Sequence, residues 1–391
     1  MRGWLIFMLL LALAVEVKGQ AAPARLSPAE QRIAWAQQAI AQHPDNPQAW
    51  NELAAALARR ARETADPKHY AQAEKALAES FKLAPDNFEA RKLRVWLRLG
   101  RHEFAAALAE AKELNQLVPD DLQVYGLLTD ANVELGNYAA AEEAAQWMLD
   151  LRPGNLAGLT RGAYLRELFG DLEGALDFMR AAYQRTPAAE TEDRAWLLTQ
   201  MGHLELLRGN LDAADPLLGL ALDLFPDYHY ALAQRARVRA AQGRPDDAVA
   251  LLRRHYEVAP HPENLFLLAE ALKEAGETDE TARAFARFEE AALKEVHGAD
   301  NANRELILYY ADHAGRPEEA LWLAEHELAR RRDVLTRDAH AWALAANERW
   351  AEARRAMEAA LAVGVRDPRV LAHARAIAER SGSSSDPAAA R

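Results

Sequence analysis

Two short stretches come nearest to a catalytic signature. His102-Glu103-Phe104-Ala105-Ala106 and His326-Glu327-Leu328-Ala329-Arg330 each begin as a zinc-protease helix would. That chemistry needs a second imidazole one turn later, so that two histidines share a helix face with a glutamate general base between them. Alanine and arginine stand there instead. His255 and His261 are the nearest thing to another pair, but Pro260 sets them on either side of a helix end. There is no phosphate loop, nucleophile elbow or dinucleotide fingerprint. The chain has no cysteine, which excludes disulfides, thiolate metal sites and a lipid-modified N-terminal cysteine. Asp and Glu are abundant, and no spacing singles out a catalytic pair. The expectation is a protein that is not an enzyme, with no cofactor and no metal. An enzyme with an unmarked site is the minority reading.

What the residues do show is a period. Pro85, Pro119, Pro153 and Pro187 are each 34 residues apart; Pro226 follows after 39 and Pro260 after another 34. Twelve residues before each stand Ala73, Ala107, Ala141, Ala175, Ala214 and Ala248. Three before those come Tyr70, Phe104, Tyr138, Leu172, Leu211 and Pro245, and glycines recur at 136, 170, 209 and 243. The stretch LGNYAAAEEAAQWMLDLRPGN, residues 135–155, shows one reason for each. Gly136 can take the left-handed conformation that ends a helix. Ala141 lets the preceding helix approach closely, where a larger residue would overpack by about 1–3 kcal/mol. Pro153 cannot continue a helix. Tyr125, Leu128 and Leu135 fall at helical spacing and predict the buried seam of the first helix.

A 34-residue period of helix, turn, helix and turn is the tetratricopeptide period. The chain resembles the tetratricopeptide repeat (TPR) family over most of its length. The resemblance implies an all-α, right-handed α-α superhelix of about nine helix pairs with terminal capping helices. The units are expected near 47–87, 88–121, 122–155, 156–189, 195–228, 229–261, 262–295, 301–333 and 334–367. The later ones drift, with Thr281 in an alanine position and Glu348 in a glycine position. A further helix is expected near 28–42 and a capping helix at 368–380, giving a solenoid over 27–380. Residues 60–69, 186–194 and 297–303 break the period and read as loops or hinges. Residues 381–391, polar and small, read as a disordered tail.

In such repeats the first helix of each unit lines a concave face that holds a peptide or a partner helix. Carried over by resemblance, the middle of that groove collects Tyr164, Trp196, Thr199, His203, Tyr230, Arg237 and Phe266. Aromatic residues and arginine are the usual anchors of binding hot spots. One subfamily clamps a C-terminal carboxylate with Lys and Asn at the fifth and ninth positions. Here those positions read Gly126/Asp130, Thr160/Tyr164, Thr199/His203 and Ala233/Arg237, which does not match.

The first residues look like an export signal: Arg2, then twelve apolar residues from Trp4 to Val15, then small residues at Val17 and Gly19 before Gln20. That run is shorter than the ~20 residues of a membrane span. The expectation is a signal peptide at 1–19 and a periplasmic or extracellular chain with no membrane span once it is removed. Net charge is −12, and the basic clusters have acidic neighbours, which argues against a nucleic-acid partner. The expected function is therefore protein–protein interaction through the groove. The alternative is a structural scaffold that assembles through its convex face or its ends.

Overall fold

The computed structural model describes residues 26–298 and 300–383. The expected signal peptide and most of the expected tail lie outside these residues. Among those described, the chain is all α-helix, with no strand. One helix, α1 (Pro28–Gln42), comes first. Nine pairs follow: α2/α3 (Pro47–Thr64, Lys68–Leu83), α4/α5 (Phe88–Gly100, Phe104–Leu117), α6/α7 (Leu122–Glu134, Tyr138–Leu151), α8/α9 (Leu156–Leu168, Leu172–Arg185), α10/α11 (Thr191–Leu207, Leu211–Leu224), α12/α13 (His229–Ala241, Pro245–Val258), α14/α15 (Pro262–Glu274, Thr278–Glu295), α16/α17 (Asn303–Asp312, Pro317–Arg330) and α18/α19 (Val334–Ala346, Trp350–Leu361). A last helix, α20 (Pro368–Ser383), closes the chain and takes in the first residues of the expected tail.

Local chemistry explains the spacing. Asn46, Asn87, Asp121 and Asn155 each cap the first helix of a unit with a side-chain oxygen, which satisfies amides that have no partner in the helix. The periodic alanines Ala73, Ala107, Ala141, Ala175 and Ala214 are fully buried. Each of the main core clusters spans neighbouring pairs, as expected of a stack whose units contact their neighbours.

The stack also curls until it touches itself. Arg332 N–H donates to the Glu134 carbonyl at 2.9 Å. A β-carbon on Gly136 would lie 2.6 Å from the Arg332 carbonyl oxygen, and one on Gly170 would lie 2.6 Å from that of Gly364. Both glycines have positive φ as well, so only glycine satisfies the backbone and the close approach together. His102 stands 3.5 Å from Asp300, and His229 Nε2 donates to the Arg62 carbonyl at 2.9 Å. His261 reaches the Ala65 carbonyl, 196 residues away in sequence. The turns after α2, α4, α6 and α8 thus support the turns that open later units, and two coils lie edge on edge.

The three breaks in the period sit on this contact. Residues 60–64 are the last turn of α2, and residues 191–194 are the first turn of α10. Arg62 there pairs with Glu192 and with Asp193 at 2.6 Å. Asp300 belongs to the third break. These insertions lie where the chain reaches the other coil.

Candidate functional site

A large concavity lies on the inner face of the first coil. It has a volume of about 720 Å³ and is walled by α2, α4, α6 and α8, with α1 at one edge and Asp193 of α10 also in its lining. Trp35 and Trp96 give it aromatic faces, and Trp35 is 68% exposed. Gln48, Asn51, Glu52 and Gln123 supply polar groups.

Its cations are already matched. Lys92 Nζ is 2.8 Å from Asp121 and 2.9 Å from Glu89. Arg161 pairs with Asp130 at 2.6 Å and donates to the Gly126 carbonyl at 3.0 Å. Arg59 lies 2.8 Å from Glu190 and 3.1 Å from Asp193, and Arg32 is 2.6 Å from Glu190. The groove therefore offers aromatic surface and hydrogen-bonding groups more than net charge. Three buried atoms of its lining residues, Asn51 Oδ1, Arg59 Nε and Arg62 Nε, have no hydrogen-bond partner within the protein. An unpaired buried polar atom costs about 1–3 kcal/mol, so the protein carries that cost in the wall of this groove.

Residues 199–264 match the tetratricopeptide repeat family. Solved structures of the same architecture include a chain of the APC/C hetero-tetramer Cut9–Hcn1, with TM-score 0.51 and 11% identity over 83% of this chain. This chain spans 55% of that one. Another is the human IFIT1 dimer with m7Gppp-AAAA, with TM-score 0.53 and 14% identity over 91% of this chain and 85% of the other. A tetratricopeptide repeat protein from Parabacteroides merdae matches over 61% of this chain and 93% of its own, at 14% identity and TM-score 0.43. No curated protein is similar in sequence. The fold is a tetratricopeptide-repeat solenoid.

In this solenoid the seven residues assigned from the repeat register separate into three groups. Tyr164 and Tyr230 are open to solvent, at 42% and 41%. Burial nevertheless pushes the Tyr230 phenol up to about 12 and holds that of Tyr164 well above its usual range. The two observations fit a side chain on a confined wall: water touches the ring while protein fills the space beyond it. Surface exposure decides whether a ligand can reach these rings, so both count as accessible.

The second group is tied up. His203 Nε2 is 2.9 Å from Glu167, and Arg237 lies 3.5 Å from His203 and 3.7 Å from Asp367 at the start of α20. Trp196 is half-buried against the core between α8 and α12. The third group is interior. Thr199 is fully buried and donates to the Ala195 carbonyl at 2.8 Å. Phe266 is buried with its ring 5.2 Å from Phe288 and 6.1 Å from Phe285. Neither Thr199 nor Phe266 is a wall residue, because the neighbouring helices cover the face that the register had assigned to the groove.

The groove of the first coil was missed, yet part of its signal was present. The same register applied to the second unit gives Glu89, Lys92, Trp96 and Leu99. The first three line the large groove. Leu99 lines a smaller cavity of about 180 Å³ beside it, together with Tyr164 and Glu134. The lengthened α2 hid the register of the first unit. Trp35 and Arg32 lie on α1, ahead of the first repeat unit, so the concave positions of the first helices do not include them.

Proposed function

We propose that the chain is a non-enzymatic interaction module that holds an extended peptide or a partner helix in the groove of its first coil, and that it works in the cell envelope. One observation carries the groove reading: an open concavity of about 720 Å³ with two tryptophans and three unpaired buried polar atoms in its wall. Interaction with proteins is the general use of a tetratricopeptide scaffold, and the location is supported by the export-like first residues. The IFIT1 structure holds m7Gppp-AAAA. A polyanion is not the partner proposed here, because the groove cations are bound by carboxylates and the chain carries a net charge of −12. Among the described residues no helix is long and apolar enough to cross a membrane.

The test is capture of partners from an envelope extract by wild type, by Trp35→Ala/Trp96→Ala and by Trp196→Ala/Tyr230→Ala. A prey lost only with the first variant supports the proposed groove. A prey lost only with the second returns the site to the middle of the chain. A prey retained by both points to the scaffold reading, which the exposed outer leucines Leu83, Leu117 and Leu151 favour.

A further inference from the structure

The smaller cavity beside the groove has a chemistry of its own. The two hollows follow one another along the same three helices. The groove takes the earlier turns of α4, α6 and α8, and the cavity takes their later turns, at Leu99, Val133 and Tyr164. Arg161 lines both and stands between them. Its guanidinium is held in place, 2.6 Å from Asp130, and donates to the Gly126 carbonyl at 3.0 Å and the Ala157 carbonyl at 3.3 Å. A β-carbon on Gly126 would come within 2.9 Å of the guanidinium carbon, so the glycine is what lets the arginine lie against α6.

The polar groups in the cavity wall are already bonded. Asp130 holds Arg161, Glu134 pairs with Arg331 at 2.6 Å, and the Thr129 hydroxyl donates to the Tyr125 carbonyl at 2.9 Å. Arg331 comes from the second coil and also lies over the Phe104 ring, 5.2 Å from its centre, so the other coil backs this wall. Burial pushes the Glu134 carboxyl above its ordinary value even with Arg331 beside it, as a wall poor in water would.

Apolar surface makes up the rest. Phe104 is buried, Leu99 is half-buried and Tyr164 is exposed, so the cavity is open to the inner face. Leu99 and Val133 hold the same register position 34 residues apart, and the next residue in that series, Glu167, is turned to His203 at 2.9 Å. The apolar wall therefore ends after two units, a length that suits one side chain. An apolar cavity of about 150 Å³ takes a benzene ring, and this one has about 180 Å³. A charged occupant would meet both signs on the wall, each already matched, and would give up its water without gaining an unmatched opposite charge. An aromatic ring gains contact area against Phe104 and Tyr164 and stacks on the Arg161 guanidinium.

We propose that this cavity is a pocket for one aromatic side chain, of phenylalanine size, carried by the peptide or helix that lies in the groove. The inference rests on the groove reading and adds the partner's chemistry: an aromatic residue that reaches past Arg161.

The test has two arms, both on the full chain. In the first, methyl NMR follows Leu99 and Val133 as the N-acetyl amide of phenylalanine, lysine or glutamate is added. The phenylalanine probe should shift both sets of methyls saturably, and the charged probes should not. Leu99→Trp fills the cavity and should abolish the shift at Val133; Leu99→Phe supplies the same block with a smaller ring if the first variant does not fold. No saturable shift with the phenylalanine probe overturns the inference, as does an equal shift with all three probes or one that survives Leu99→Trp. In the second arm, a displayed library of random peptides is selected on wild type. The selected peptides should share an aromatic position whose exchange for alanine lowers affinity about tenfold, and Leu99→Trp should erase that difference. Peptides that bind with no such position overturn the inference and leave the groove reading standing. If no peptide binds while the phenylalanine probe does, the pocket serves a free aromatic molecule, and the side-chain inference and the groove reading fall together.

Discussion

The inner face of the solenoid differs between its two halves. Along α2, α4, α6 and α8 it is an open groove edged by Trp35 and Trp96. Along α8, α10, α12 and α14 the same register positions are largely filled: Phe266 and Thr199 are core, and His203 and Arg237 are bonded to Glu167 and Asp367. A concave position in a repeat becomes a binding position only where nothing else in the fold reaches it. The start of α20 reaches Arg237, whereas none of the described residues fills the first-coil groove. Filled positions should therefore show their role in stability, and open ones should not.

Phe266→Ala gives the largest expected effect. It deletes a buried ring packed on Phe285 and Phe288 and should cost about 3–5 kcal/mol of folding stability. Chemical denaturation measures it. A loss within about 0.5 kcal/mol would return Phe266 to the groove wall.

Arg62→Ala comes next, at the contact between coils. Glu192 is fully buried, accepts from the Tyr228 hydroxyl at 2.7 Å and is paired with Arg62. Removing the guanidinium strands that carboxylate, at an expected cost of about 3 kcal/mol. Tyr228→Phe removes one hydrogen bond from the same group and should cost about 1–2 kcal/mol. Thermal melts of the two variants rank them, and equal melting points would show that the coils do not depend on this pair.

This contact marks the limit of what was legible in the sequence. The fold class followed from positions that repeat for local reasons: Ala141 against its partner helix, Gly136 in its turn, Pro153 at a helix end. Those requirements recur in every unit, so one chain displays them many times. A contact between Arg62 and Glu192 occurs once and joins residues 130 apart, with no period to reveal it. The breaks at 60–69, 186–194 and 297–303 were its trace. They look like loosened loops in one dimension and prove to be contact surfaces in three. The site suffered for the same reason. The register fixes which residues point inward, and the path of the other coil decides which of those remain accessible.

His229, at the contact, and its neighbour His255 give a dependence on pH. Burial lowers both His229 and His255 to about 4, against about 6.5 in an unfolded chain. The unfolded state thus takes up protons first, and the stability these groups contribute is full above about pH 6.5 and is lost as pH falls toward 4. Glu263 acts in the opposite direction: burial raises it to about 7, so its protonation favours the folded state as pH falls. The comparison that isolates the histidines is wild type against His229→Gln/His255→Gln. The melting-point difference should shrink or reverse between pH 7 and pH 4.5, and a constant difference would show that neither histidine is held neutral.

Trp35→Ala should have the smallest effect on stability and the sharpest consequence for the comparison. The ring is 68% exposed, so truncation should leave stability within about 0.5 kcal/mol of wild type. If the open groove is the binding surface, the same change removes an aromatic anchor, and affinity for a captured peptide should fall about thirtyfold, the equivalent of 2 kcal/mol. Tyr230→Ala, on the filled side but also exposed, is the matched control. Fluorescence anisotropy of the labelled peptide against both variants decides between the two halves. A large loss with Trp35→Ala and a small one with Tyr230→Ala assigns recognition to the first coil. The reverse would mean that ligand displaces the Glu167–His203–Arg237 links, and that the middle of the solenoid is closed only until a partner arrives.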